Sequence, residues 1–389
     1  MNKKIICSLI AISILVNTCG CGNNNESEVT IDNNTSSETA TYTSITNTDD
    51  IFTNRDLEQN VDTSEAEKYE VKDNNDINIT KEGIYVISGN AKNVSIIINV
   101  SDEEKVQLVL SNLTITNESN PCIYVKNSDK TFITLEGTNS LSVNGTFTTD
   151  NDTNTDAVIF SIDDLVINGT GNITINSTDN GITSKDDLKI TGGTINITCV
   201  SDAIEVNNSV LISDGTININ SKKDGIHVEY AEDNSVGSIY ISGGNFNIKA
   251  GDDAIHAVTS VQIDGGTFTI NAGEGIEATY IQINNGEITI NASDDGINGA
   301  KKSNIMTPTV EINGGTLTIN MGSGDTDGID SNGNLYIKGG TISINANSPF
   351  DYDGVGEYTG GTLIVNGEKT TTLSSQMMGG RSGQGGRHR

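Results

Sequence analysis

The middle of the chain aligns with itself. The stretches "VLISDGTININSKKDGIHVEY", "IYISGGNFNIKAGDDAIHAVTS", "VQIDGGTFTINAGEGIEATY" and "IQINNGEITINASDDGING" are copies of one unit, and copies begin at residues 165, 188, 210, 239, 261, 281, 310 and 335. A period of 20 to 29 residues marks a solenoid, in which one unit buries its apolar face only by stacking on the next. Each copy holds three short alternating runs, such as Val261 and Ile263, then Phe268 and Ile270, then Ile276, separated by Gly-Gly or Asp-Gly turns. Alternation with period two predicts strands, and no 3.6-residue pattern supplies a helix. Leucine-rich repeats lack support in the Leu spacing, and the calcium-binding nonapeptide repeat has a different period. The expected fold is all-β, a right-handed parallel β-helix with three short strands per coil, forming one solenoid domain.

Stacking converts each aligned position into a ladder. At one turn six of eight copies carry Asn (Asn176, Asn220, Asn271, Asn291, Asn320, Asn345), with Thr198 and Lys249 as exceptions. Coil-to-coil amide hydrogen bonds assign this ladder to structure. Before the third strand the copies read Asn180, Asp202, Asp224, Asp253, Glu274, Asp295, Asp327 and Asp353, and Asp179, Asp252 and Asp294 add a second carboxylate. Carboxylates about 4.8 Å apart repel by roughly 1 kcal/mol in water and several times more at a protein surface. Ca²⁺, which takes six to eight hard oxygen ligands, is the expected compensating ion. The competing account is Asx turns with the side chains splayed into solvent.

After each acidic residue comes Gly or Ala, then the inward Ile, then a residue expected to point outward. The small column (Gly181, Ala203, Gly225, Ala254, Gly275, Gly296, Gly328, Gly354) is therefore expected to floor a shallow trough. Its far wall is the ladder Thr183, Glu205, His227, His256, Glu277, Asn298 and Asp330, which makes the two histidines neighbouring rungs. Three readings of the ladder stand: a plain exposed polar ladder, a surface that hydrogen-bonds a sugar, and a transition-metal site of two imidazoles and a carboxylate. Insertions at 229 to 238 and 298 to 309 fall at the same corner and bracket the coils of His256, Glu277 and Asn298. Lys249, which interrupts the Asn ladder beside Asp252 and Asp253, is a candidate base, and a salt bridge to those carboxylates is its simpler explanation.

The formal net charge of -30, with no Trp and no basic stripe in the repeats, argues against nucleic acid and for divalent cations as partners. Residues 1–21 read as an export signal, with Lys3 and Lys4 before an apolar run too short to span a membrane comfortably. Cys21 resembles the lipidated first residue of a lipoprotein; Cys19 is a rival, and secretion without a lipid is the alternative. Residues 22–69 read as a solvated tether, 70–366 as the β-helix, and 367–389 as a flexible Gly-rich basic tail. Cys122 and Cys199 fall about three coils apart, too far for a disulfide, and are expected to be free and packed.

The head segment "ITKEGIYVISGNAKNVSIIINVSDEEKVQLVLSNLTITNESNPCIYVKNSDKTFITLEG" followed by "GGTxxINA" and "DDGIHA" units resembles the clostridial carbohydrate-binding parallel β-helix family over about residues 70 to 366. The resemblance implies an exported cell-surface protein of polysaccharide lyase-like fold, with calcium sites and binding to cellulose and polygalacturonate. The family's acidic calcium motif maps onto Asp224 and His227, onto Asp252, Asp253 and His256, and onto Asp294 and Asp295. Without Trp there is no usual sugar-stacking platform, which favours acidic glycans. The expected function is calcium-assisted binding of a cell-wall polysaccharide by a monomer anchored to the outer face of the membrane through lipid alone. The expected metal ligands are Asp202, Asp224, Asp252, Asp253, Asp294, Asp295 and Asp327; the expected glycan contacts are Glu205, His227, His256, Glu277, Asn298 and Asp330. A calcium-dependent polyuronate lyase and a purely structural surface stalk or adhesin are the alternatives.

Overall fold

The computed structural model describes residues 51–374 except 152, 324 and 325. The expected export signal with Cys19 and Cys21, the expected tether up to residue 50 and the expected tail from residue 375 lie outside the described residues. Within them are 34 strands and no helix. All pairings between named strands are parallel except one hairpin, Thr362–Val365 with Glu368–Thr370. Each strand pairs with its equivalent one coil away, so the chain is a parallel β-helix with three strands per coil.

The alternating runs explain the three walls. On the first, Val210, Ile239, Val261, Ile281 and Val310 are in register. On the second, Ile219, Ile248, Ile270, Ile290 and Ile319 align, and Phe246 stacks on Phe268 with ring centroids 4.4 Å apart. On the third, Ile204, Ile226, Ile255, Ile276, Ile297 and Ile329 align. These side chains are buried, and each contributes about 1.5–3 kcal/mol. Where the chain turns from the first wall to the second, Gly266 has φ of 100°, and glycine reaches that conformation without steric cost.

The Asn ladder is in the expected register from Asn176 through Thr198, Asn220 and Lys249 to Asn345. Its bonds run amide to amide: Asn291 Nδ2 donates to Asn271 Oδ1 at 3.1 Å, Asn320 to Asn291 at 3.1 Å, and Asn345 to Asn320 at 2.8 Å. Cys122 and Cys199 are free and buried, and burial pushes each thiol up to about 12.

Two boundaries differ from the sequence reading. Residues 51–59, assigned to the tether, lie across the outer side of the first wall. Asp56 is fully buried there and pairs with Lys189 at 3.0 Å, and the Arg55 guanidinium lies 4.2 Å over the Phe132 ring. Gln59 bonds the Thr191 carbonyl and the Gly169 amide. Six polar side chains in nine residues hide this segment from a reading based on hydrophobic period. At the other end, residues assigned to the tail extend the fold: Glu368–Thr370 completes the hairpin, and the Tyr352 hydroxyl donates to the Leu373 carbonyl at 3.1 Å.

Candidate functional site

The third wall carries the predicted ladder in register: Thr183, Glu205, His227, His256, Glu277, Asn298 and Asp330 are successive partners. Parallel pairing at about 4.8 Å forces the two imidazoles face to face, 4.7 Å between centroids and 4° between planes. Each ring is held by the acidic residue three positions earlier, His227 Nδ1 to Asp224 Oδ2 at 2.5 Å and His256 Nδ1 to Asp253 Oδ2 at 2.8 Å. His256 Nδ1 also lies 2.9 Å from Glu277 Oε2, which takes Lys302 Nζ at 2.9 Å. Rings held parallel aim their nitrogens in one direction, whereas a metal at roughly 2.0–2.1 Å needs lone pairs that converge. The arrangement does not suit a transition-metal chelate.

Electrostatics along the ladder follow from crowding. Burial opposes charge on His256, but the Asp253 and Glu277 carboxylates override it and raise the ring to about 10. His227 is raised in the same way: burial opposes, and its bond to Asp224 prevails. Burial raises Glu277 too, but hydrogen bonds from His256 and Lys302 outweigh it and leave the carboxyl below its ordinary value. Carboxyls without such partners go up: burial, then neighbouring acids, lift Asp330 to about 7 and Glu274 to about 8, the latter despite a hydrogen bond from Asn298. At the opposite end Glu205 pairs with Lys185 at 3.1 Å.

The acidic column is knitted into the backbone. Asn180 Oδ1 accepts the Asp202 amide at 3.0 Å, Asp202 Oδ1 the Asp224 amide at 2.9 Å, Asp224 Oδ1 the Asp253 amide at 3.0 Å, and Asp295 Oδ1 the Asp327 amide at 3.0 Å. At four of these corners a short Asn or Asp side chain thus closes the corner of the next coil, the local turn chemistry that favours both residues. One oxygen of each of these carboxylates remains for other partners. Three carboxylates, Asp224, Asp252 and Asp253, bring oxygens within 4.8 Å of one another. Asp252 is exposed and is therefore open to an ion. Such a hard-oxygen set suits Ca²⁺. Asp202, Asp294, Asp295 and Asp327 form no comparably tight group of three among the described residues.

Three expectations are corrected. The small column does not floor a trough. Gly225, Gly275, Gly296 and Gly328 are buried and face inward: a Cβ on Gly296 would meet Ile319 Cγ2 at 2.5 Å and the Gly328 carbonyl at 2.4 Å. The corner breaks strict alternation, so its small residues fit beneath core isoleucines of the second wall. In the last copy the register shifts: Asp327 pairs with Ser348 and Asp330 with Asp351, which leaves Asp353 outside the column and exposed. Lys249 forms no ion pair among the described residues, with Asp252, Asp253 or any other acid. It stands on the second wall, at one end of a groove of about 560 Å³ edged by Asn271, Asn291 and Asn320 and floored by Ala250, Ala272 and Ala292.

The two insertions meet. Ser303, which is buried, donates to the Asn234 carbonyl at 2.6 Å, and Thr279 Oγ1 accepts the Lys302 and Ser303 amides at 3.1 and 2.7 Å. They make a wall beside the ladder and deliver Lys302 to Glu277. Lys302 and Lys185 escaped the sequence reading because neither lies in a repeat column; the "AKKSN" run inside the second insertion was the available signal.

A curated relative, a carbohydrate-binding domain-containing protein of Acetivibrio thermocellus, is 36% identical over 143 residues, which is 36% of this chain and 48% of the relative. The chain thus spans about half the length of that relative. A solved structure titled as the polysaccharide lyase-like protein from C. thermocellum, a gadolinium derivative, is 27% identical with a TM-score of 0.49, over 69% of this chain and 98% of the other. The model of one family matches residues 73–326 and 274–377, well over half of the sequence and nearly all of the β-helix, and the chain belongs to that family, the carbohydrate-binding domain-containing proteins.

Proposed function

We propose that the protein binds a carboxylate-bearing polysaccharide such as polygalacturonate, as a monomer, with Ca²⁺ held by Asp224, Asp252 and Asp253. The observation that carries this reading is the approach of those three carboxylates, one of them exposed, on a wall where burial and then neighbouring acids push Asp330 and Glu274 upward. An anionic polymer meeting a chain of net charge -30 is repelled unless a cation lies between them. A bound Ca²⁺ supplies that charge and coordinates carboxylate oxygens from both sides. The residues of the chain do the rest. Asp224 and Asp253 are fixed by their bonds to His227 and His256, and Glu205, Asn298 and Asp330 offer hydrogen-bonding edges to sugar hydroxyls along the wall.

Binding without cleavage is the favoured activity, because the basic side chains at the ladder are held protonated: His256 is raised to about 10, and Lys302 is raised by Glu277 although burial opposes it. A protonated group cannot remove the proton that eliminative cleavage requires. The proposed location is the outer face of the membrane, with lipid on Cys21. A glycan array probed in calcium and in chelator tests the function. Retention of acidic glycans only in calcium is expected; chelator-insensitive binding overturns the bridging ion, and an array with no signal overturns polysaccharide binding.

A further inference from the structure

We propose that the groove on the second wall is a separate contact for an extended acidic oligosaccharide, lying along the helix axis with one sugar carboxylate on Lys249. The proposal rests on the polysaccharide reading above but not on calcium. Lys249, Asn271, Asn291 and Asn320 occupy one register position on four successive coils, so their polar heads repeat at about 4.8 Å. That is close to the length of one sugar in an extended chain. The amides are already oriented, since Asn320 donates to Asn291 and Asn291 to Asn271, each at 3.1 Å. Asn320 Nδ2 spends one hydrogen on Asn291 and keeps a second, Asn291 Nδ2 also donates to the Ile270 carbonyl at 3.3 Å, and each amide oxygen that accepts one bond keeps a second lone pair. The row therefore offers sugar hydroxyls acceptors on successive rungs and a donor at Asn320.

The floor fits the same occupant. Ala250, Ala272 and Ala292 turn toward the core, so a sugar ring can approach the backbone at these positions, and the groove holds about 560 Å³. Lys249 is exposed and without an ion pair among the described residues, and it replaces Asn at the position where the ladder would otherwise continue. In a chain so acidic, an exposed ammonium set between Asn220 and Asn271 in the row selects an anionic group. The carboxylates of the third wall repel that group, which makes the groove the better landing place when no cation is present.

The test uses full-length protein and galacturonate oligomers, with carboxyl-reduced oligomers as the neutral control, in chelator and in calcium. Lys249→Asn extends the natural Asn ladder and so preserves the fold; it is expected to weaken the acidic oligomer about tenfold in chelator, the loss of one charge-assisted hydrogen bond, and to leave the reduced oligomer unchanged. Asn271→Ala removes an outward amide of the same row without touching the core, and is expected to weaken both. If wild-type protein binds and neither variant differs from it, the groove is not a contact while the proposed function stands. If wild-type protein binds no oligomer in either condition, both fall.

Discussion

His256 Nδ1 lies between two carboxylates, 2.8 Å from Asp253 Oδ2 and 2.9 Å from Glu277 Oε2, with all three side chains nearly buried. One protonated ring therefore neutralises acids contributed by two different coils. Removing it leaves Asp253 without a counter-charge and Glu277 with Lys302 alone. His256→Ala is expected to destabilise the protein by about 3 kcal/mol, read as a lowered denaturant midpoint. His227→Ala should be milder, because that ring is more exposed and its second carboxylate, Glu229, is nearly half exposed. Equal midpoints for His256→Ala and wild type would remove this role.

Stability should fall as pH rises. His256 has a folded value near 10 against an ordinary 6.5, so its contribution is complete below about 6.5 and is lost as pH climbs through 10. Glu274 is raised from 4.5 to about 8; its protonated form is favoured in the fold, so its contribution too is present below 4.5 and lost as pH rises through 8. Both act in one direction. Melting temperatures in chelator should drop between pH 5 and pH 9, and Glu274→Gln should flatten the part of the slope below pH 8. A melting temperature that increases over this range would contradict the assignment.

Much of the wall chemistry was legible in the sequence because a parallel solenoid turns alignment into contact. Once copies are set one under another, the pairing of His227 with His256 and the run from Thr183 to Asp330 follow from strand spacing alone. Corners were less legible. Strict alternation predicts that Gly296 points outward, whereas the chain bends between walls there and turns the position inward beneath Ile319. Lys249 was misread for a related reason: nearness in sequence to Asp252 and Asp253 suggested a salt bridge, but a corner intervenes. Contacts made outside the repeat, such as Asp56 with Lys189 or Lys302 with Glu277, leave no periodic trace at all.

The inward corner can be tested by Gly296→Val. Even a single added carbon would meet a backbone carbonyl at 2.4 Å and a core methyl at 2.5 Å, so a branched side chain overpacks a site that cannot give. A loss of about 1–3 kcal/mol is expected. A floor position open to solvent would tolerate the change with an unaltered melting temperature.

Chelation separates the ion from the fold. Calcium at a hundred times its dissociation constant adds about 2.7 kcal/mol to a protein that binds it only when folded. Addition of EDTA to the wild-type protein at low salt is expected to lower the melting temperature. Asp252→Ala removes an exposed ligand that no core contact requires, so it should abolish most of that shift while keeping the chelated protein as stable as wild type. The same EDTA shift in the variant would place the ion elsewhere.

Cleavage is the prediction on which architecture and chemistry diverge. Eliminative cleavage of a polyuronate needs a cation to acidify the carbon next to the carboxylate and a neutral base within reach of its proton. Asp224, Asp252 and Asp253 can hold the first. The second is missing from the ladder, because His227, His256 and Lys302 are each raised by the carboxylates that orient them. Lys249 faces the amide groove of the second wall, and Lys223 stands close enough to Asp179 and Asp202 to offset part of the burial that raises them. The ultraviolet absorbance of the unsaturated uronate product should therefore stay flat during long incubation with polygalacturonate and calcium from neutral to alkaline pH. A steady rise that vanishes in Lys249→Ala would instead make that lysine a base and the protein a lyase. A rise that survives Lys249→Ala and vanishes in His256→Ala would move the chemistry to the ladder.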